Sequence, residues 1–407
     1  MPRTIRCAHV VIAWAWVLAV AGPARAEPKP ITLAEALAAV ARAPAAQISS
    51  HEAAAADALV DAAGAWPSPS LHVSTNRLTA RLVAGASLPL PVFGTVGAAR
   101  KQAAAEAGVV RAEGAAALRV LRHRVALAWI TLARLDGDAI ASSIAAQQAA
   151  ELALIARGRK DAGVGADVDV TTANAAKARA DVAAIAAVRA QAAASAELSG
   201  ALGWPLDQPL RSAGSPGTGA PAELAALRAQ LARHPERVAA VARLAAADAT
   251  VAQVQSLAWP ILSLDAEVSY DDPTNEDKTD ALIGVTLELP VFARIGDRVR
   301  AARATSAAQR ARLVATETEL GAGLAAAFER WRAAVDTLGA LEHDVVPAQE
   351  RAAALSAQAY REGARDLSSA LQAERDLAAV RAEVNAARAD AAVAWEDLQL
   401  AAGSDAN

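Results

Sequence analysis

LPLPVFG at 88–94 returns as LELPVFA at 287–293, about 200 residues later. No other feature constrains the fold as much. Solenoid and propeller units repeat every 20–50 residues, so a period this long marks a duplicated half-molecule. Each copy of the phrase also has the same neighbours. AlaTrpPro precedes it at 65–67 and again at 258–260, and an X-Pro pair lies further upstream, AlaPro at 43–44 and HisPro at 234–235.

Between AlaTrpPro and the phrase the chain alternates. Leu71, Val73 and Thr75 share one face of SLHVSTN, against Ser70, His72, Ser74 and Asn76. Leu82, Ala84, Ala86, Leu88 and Leu90 share a face of the next segment. In the second half Leu262, Leu264, Ala266, Val268 and Tyr270 align, then Ala281, Ile283, Val285, Leu287 and Leu289. A period of two predicts strands, hence two hairpins over about 68–92 and 260–291. Strands of nine or ten residues are long enough to cross a bilayer when tilted. One apolar and one polar face suit lipid outside and water inside, although a small soluble sheet with one wet face has the same pattern. Four strands cannot close a barrel, and lipid does not tolerate open edges. Membrane strands here therefore require a cyclic oligomer.

The rest reads as helix. Segment 33–64 opens with Thr32 and Glu35 spaced as a capping box. Proline-free 94–162 carries a seam of Leu118, Leu121, Val125, Ala128, Leu132 and Leu135, stepping by three and four. GlyValGly at 163–165 breaks it, and 167–202 resumes. The second half repeats the plan with 222–257, 293–362, a break at Gly363, and 366–402. At 1.5 Å per residue, 94–162 spans roughly 100 Å, and in each half two shorter helices would stack end to end beside the long one. Alanine fills these segments, while Trp, Tyr and Phe total 13, so close packing through small residues is implied. The organisation is a first repeat over 27–203, a Pro/Gly-rich linker over 204–222, a second repeat over 223–403 and a tail over 404–407.

Arg3 and Arg6, the apolar run 8–21 and Ala24-Arg25-Ala26 predict a secretory signal over 1–26, which includes the lone Cys7. Removing three signal arginines leaves 37 basic against 44 acidic residues, a net charge of about −7, which disfavours nucleic acid as a partner. His51, His72, His123, His234 and His343 show no metal-ligand spacing. Phosphate loops, GxSxG and Cys-His pairs are missing from the sequence. The reading is of a non-enzyme without metal or cofactor, with His123 solvated and His234 structural.

The duplicated order of AlaTrpPro, LPLPVFG or LELPVFA, and glycine turns resembles the TolC-like outer-membrane factor family across essentially the whole mature chain. GVGADVDVTTANA from Gly163 is similar to the family's helix-turn phrase at Asp169, Val170 and Ala173; GARDLSSALQAER from Gly363 fits more loosely, with Ala373 matching. Compact loops and the LPVF phrase point toward its heavy-metal-efflux branch. The resemblance implies a mainly α fold with a small β part, built as a duplicated helix–β-hairpin–long helix–helix repeat. Three protomers with four strands each would form a 12-stranded transmembrane β-barrel above a trimeric α-barrel tunnel in the periplasm. It implies an exit duct in the outer membrane of a Gram-negative cell, coupled to a periplasmic adaptor and an inner-membrane transporter of the resistance-nodulation-division type.

Gly163 and Gly363 would mark the adaptor-docking tips, and Pro67, Pro91, Pro260 and Pro290 the sheet–helix transitions. Relatives ring the closed end with acids six and nine residues after the second glycine, where this chain has Ser369 and Gln372. Asp167 and Asp169 are therefore expected to supply the ring, with Arg361, Glu362, Arg365 and Asp366 as pairing candidates. The rival reading is a soluble periplasmic coiled-coil adaptor or scaffold.

Overall fold

The computed structural model describes residues 28–75, 82–220, 223–270 and 279–404. The signal expected over 1–26 and both hairpin tips lie outside these residues.

In chain order the elements are β1 (Lys29–Ile31), α1 (Leu33–Val40), α2 (Pro44–Ala63), β2 (Ser70–Ser74), β3 (Leu82–Leu90), α3 (Thr95–Asp161), α4 (Asp167–Leu202) and β4 (Leu210–Ser212). There follow α5 (Leu224–Gln230), a 3-10 turn at Leu231–Arg233, α6 (Pro235–Ser256), β5 (Ile261–Tyr270), β6 (Thr279–Glu288) and α7 (Ile295–Ala340). A π-helical turn at Leu341–Val345, α8 (Val346–Arg361) and α9 (Leu367–Ala402) complete the described chain.

The four long strands form one antiparallel sheet in the order β2-β3-β5-β6. Its register aligns the alternating residues across all strands: Leu71 faces Ala86, Ala86 faces Ala266, and Ala266 faces Ile283. One continuous apolar face results, with Ser70, Ser87, Asp265 and Gly284 among the opposite set. Among the described residues nothing covers the apolar face. Leu71 is 82% exposed and Ile283 78% exposed.

The helices divide where backbone chemistry requires it. Segment 33–64 is two helices, because Pro44 has no N–H to continue α1 and instead opens α2. Segment 222–257 divides likewise at Pro235, with His234 as N-cap. Segment 293–362 stays helical, but Pro347 offers no N–H to His343 and its ring crowds that carbonyl; the π turn at 341–345 lies directly before it. α3 runs unbroken for 67 residues. One α3 window is apolar enough by composition to cross a bilayer, yet α3 packs along its length against α2, α4, α6 and α9.

The segment 204–222 is not a free linker. Its β4 pairs in parallel with β1, Pro30 opposite Arg211. The pair is fastened to the helices: Trp129 Nε1 donates to the Ile31 carbonyl at 2.8 Å, the Leu210 N–H to Ser195 Oγ at 2.6 Å, and the Ser212 N–H and hydroxyl to Asp136 Oδ2 at 2.7 Å each. Around it lies the bulkiest core, with Val125, Trp129, Ile130, Leu132, Leu198 and Leu202 buried and the remaining seam residues of α3 packed against them. This mid-height band is where the chain spends its large side chains.

Candidate functional site

Three regions hold the candidate functional residues: the sheet, the sheet–helix junctions and the helical tip. On the polar face of the sheet, His72 Nε2 lies 3.8 Å from Glu267 Oε2. The His72 ring crosses Gly85, where a Cβ would stand only 2.3 Å from His72 Cε1. Gly85 is thus the gap that lets the two side chains meet across β3.

At the junctions, Pro67 precedes β2, Pro91 directly follows β3, Pro260 directly precedes β5 and Pro290 follows β6. In both PVF turns the valine N–H donates two residues back, Val92 to the Leu90 carbonyl and Val291 to that of Leu289, at 2.9 Å each. The copies then diverge. Gly94 takes the left-handed conformation at φ 76° and α3 starts. Ala293 occupies the equivalent place, and the left-handed residue moves on by one to Arg294 at φ 44°, a strained conformation for a side chain with a Cβ.

At the tip, Gly163 and Gly363 adopt φ 75° and 79°. Val164 N–H donates to the Arg159 carbonyl and Gly163 N–H to Lys160; Ala364 donates to Ala359 and Gly363 to Tyr360. Both α3 and α8 therefore end in Schellman turns, which require the left-handed residue that glycine supplies. Arg159 links the two turns. Its Nη1 donates to the Tyr360 carbonyl at 3.0 Å and the Arg361 carbonyl at 3.3 Å, and its guanidinium sits 5.2 Å from the Tyr360 ring centroid. A Cβ on Gly363 would approach Arg159 Nη1 to 3.2 Å, so this glycine also makes room for the cross-turn contact. Tyr360 is 1% exposed within a cluster of Leu152, Ala156, Ala173, Leu367 and Ala370. Burial pushes its phenol pKa up, with the Asp169 charge adding to the shift. Its hydroxyl has no hydrogen-bond partner among the described residues.

The candidate gate residues find partners other than those the sequence implied. Asp167 pairs with Lys160 at 2.5 Å, across its own glycine turn, and that bond raises the lysine pKa. Arg361 pairs with Glu151 of α3. Glu362 Oε1 accepts from Gln358 Nε2 at 2.8 Å. Asp366, at the N-cap of α9, accepts from the hydroxyls of Ser368 at 2.6 Å and Ser369 at 2.5 Å, which hold its carboxyl below the usual range. Arg365 is exposed. Asp169 lies near enough to Tyr360 to perturb it. The expected pairing of Asp167 and Asp169 with residues 361–366 is thus replaced, inside the protomer, by contacts within each turn and between turn and α3. Lys160, Glu151, Arg159 and Tyr360 are the tip residues that sequence reasoning missed.

His123 is likewise not solvated: its Nε2 lies 2.8 Å from Asp397 Oδ1. His234 is buried and structural. Its Nδ1 accepts from the Glu236 N–H at 3.2 Å while Nε2 faces the Leu400 carbonyl at 3.1 Å, so the proton sits on Nε2. Among the described residues no group of three or more His, Cys, Asp or Glu could hold a metal ion.

Residues 226–404 match the family model described as outer membrane efflux protein. The match covers the second repeat, 179 of the 407 residues.

Solved structures share the fold. CusC aligns with TM-score 0.78 at 15% identity over 92% of each chain. VceC of Vibrio cholerae gives 0.74 at 19% identity, over 91% of this chain and 96% of that one. The open-state MtrE channel of Neisseria gonorrhoeae gives 0.72 at 17%, over 91% and 89%. No curated protein sequence matches.

Proposed function

We propose that this chain is an outer-membrane efflux duct that works with a periplasmic adaptor and an inner-membrane pump and acts as a homotrimer, its twelve strands closing one barrel through the outer membrane and its helices forming the tunnel beneath. The observation that carries the reading is the uncovered apolar face of the sheet, continuous across four strands and bounded by two unpaired edges. In lipid each unpaired backbone group costs several kcal/mol, so four strands of this character need neighbours. In this reading the inner-membrane partner is a transporter of the resistance-nodulation-division type, and adaptor helices dock beside Gly163 and Gly363. Asp167, Asp169 and Asp366 then line the entrance, where converging carboxylates favour cations. The rival soluble-scaffold reading has no use for the exposed apolar face.

Reconstitution of the purified full chain into planar lipid bilayers tests the proposal. Discrete conductance steps are expected; protein that partitions with soluble periplasmic fractions and leaves the bilayer silent contradicts it.

A further inference from the structure

The two hairpins are equivalent strand by strand, the second being six residues longer between its Trp and its Phe (33 positions against 27). The repeated phrase sets Leu88 against Leu287 and Ser87 against Thr286, and AlaTrpPro sets Trp66 against Trp259. The registers agree, since Ser70 faces Ser87 in the first hairpin and Ser263 faces Thr286 in the second.

Inside the chain the first hairpin meets the second at β3–β5, with Leu90 opposite Leu262. Three residues further along, that register sets Phe93 opposite Trp259. Their rings stack, centroids 5.9 Å apart and planes within 5°. The equivalent seam on the other side would join β6 to β2, which lie at opposite edges of the sheet and cannot meet within one protomer. Its two aromatic residues are both uncovered: Phe292 is 94% exposed and Trp66 67% exposed.

We propose that a second copy of this chain completes that seam in a defined register. β6 pairs antiparallel with β2 of the neighbouring protomer, Leu287 opposite Leu71, and Phe292 stacks on Trp66 of the neighbouring protomer. This rests on the oligomeric duct proposed above and adds its strand register and an aromatic clasp at each subunit boundary. The register sets Val285 opposite Val73 and Ile283 opposite Thr75, so the apolar face runs unbroken across the boundary. Leu71, Val73, Ile283, Val285 and Leu287, each at least half exposed in one protomer, all enter it. A one-residue slip would turn every one of them to the polar side. The matched hydrogen bonds of Val92 and Val291 give both turns the same backbone course up to the residue before the phenylalanine. Because the register of the seam is fixed by the repeat, one contact inside the chain serves as template for the contact between chains.

Paired cysteines test it in the full-length protein, with Cys7→Ala removing the natural thiol. Trp66→Cys combined with Phe292→Cys, treated with a short bis-maleimide, is expected to shift the protein from one-chain to two- and three-chain masses, whereas either single variant stays at one. Phe93→Cys with Trp259→Cys is expected to link within one chain and leave the mass unchanged. Should loss of the rings impair assembly, Leu71→Cys with Leu287→Cys, oxidised directly to a disulfide, reads the same register, and Leu71→Cys with Leu289→Cys, a diagonal pair about 7–8 Å apart and beyond disulfide reach, is the negative pair. A detergent-stable oligomer that links neither in-register pair, while the intrachain control links, overturns the register and leaves the duct standing. A chain that forms no oligomer overturns both.

Discussion

The mid-height band and the sheet use the same chain in opposite ways. Around β1 and β4, Trp129, Ile130, Leu132 and Val125 are at most 2% exposed, and the buried backbone of Ile31 and Leu210 is hydrogen-bonded to side chains. In the sheet, every β2 residue is exposed and the apolar face has no partner. One protomer finishes its middle alone, whereas in the proposed duct its sheet is finished by lipid and by neighbours. A bulky core thus marks what the chain folds by itself. Small or exposed apolar residues mark what assembly must complete.

Mutations in the two regions should therefore fail differently. Trp129→Ala removes a buried ring and the donor to Ile31, and should cost about 3–5 kcal/mol of protomer stability, read as a lowered helical melting temperature in detergent. Ile283→Arg should leave that melting temperature nearly unchanged yet cost about 2–4 kcal/mol of membrane insertion at mid-bilayer depth, read as protein lost from the outer-membrane fraction. Equal effects of both variants on helical melting would erase the contrast.

The helical part of the protomer should also respond to pH. Burial holds the His234 pKa below its ordinary 6.5, so the folded state prefers the neutral ring. That stabilisation is complete above pH 6.5, and it diminishes as pH falls below this value, where the unfolded chain takes up the proton first. Chemical denaturation measured on both sides of pH 6.5 should show it, and His234→Asn, which keeps a capping side chain, should flatten the dependence.

At the tip the effects are smaller. Gly363→Ala must hold a Cβ at φ 79°, a cost of about 1–2 kcal/mol, visible as faster proteolysis at the turn. Arg361→Ala breaks a half-exposed pair with Glu151 and should change stability by less than about 1 kcal/mol.

The same contrast governs how much the sequence discloses. The strands are legible because a sheet with one lipid-like face writes its period of two directly into residues such as Leu262 to Tyr270. The glycine turns are legible because a left-handed residue terminates each helix. The strand β4 is not, since three residues carry no period and its pairing is imposed by Ser195 and Asp136 from distant helices. The breaks at Pro44 and Pro235 are marked by proline, yet alanine-rich flanks on both sides read as continuous helix. At the tip, Asp167 was identifiable as a helix-end acid. Its partner Lys160 lies across a glycine turn, where helical spacing rules stop applying, and Arg159 meets Tyr360 from about 200 residues away.

Everything turns on the sheet being a third of a barrel. Native mass spectrometry of the purified chain in detergent measures that most directly. A single species at three times the protomer mass is the predicted result; a stable, folded one-chain species carrying its apolar sheet face in the detergent would contradict the account.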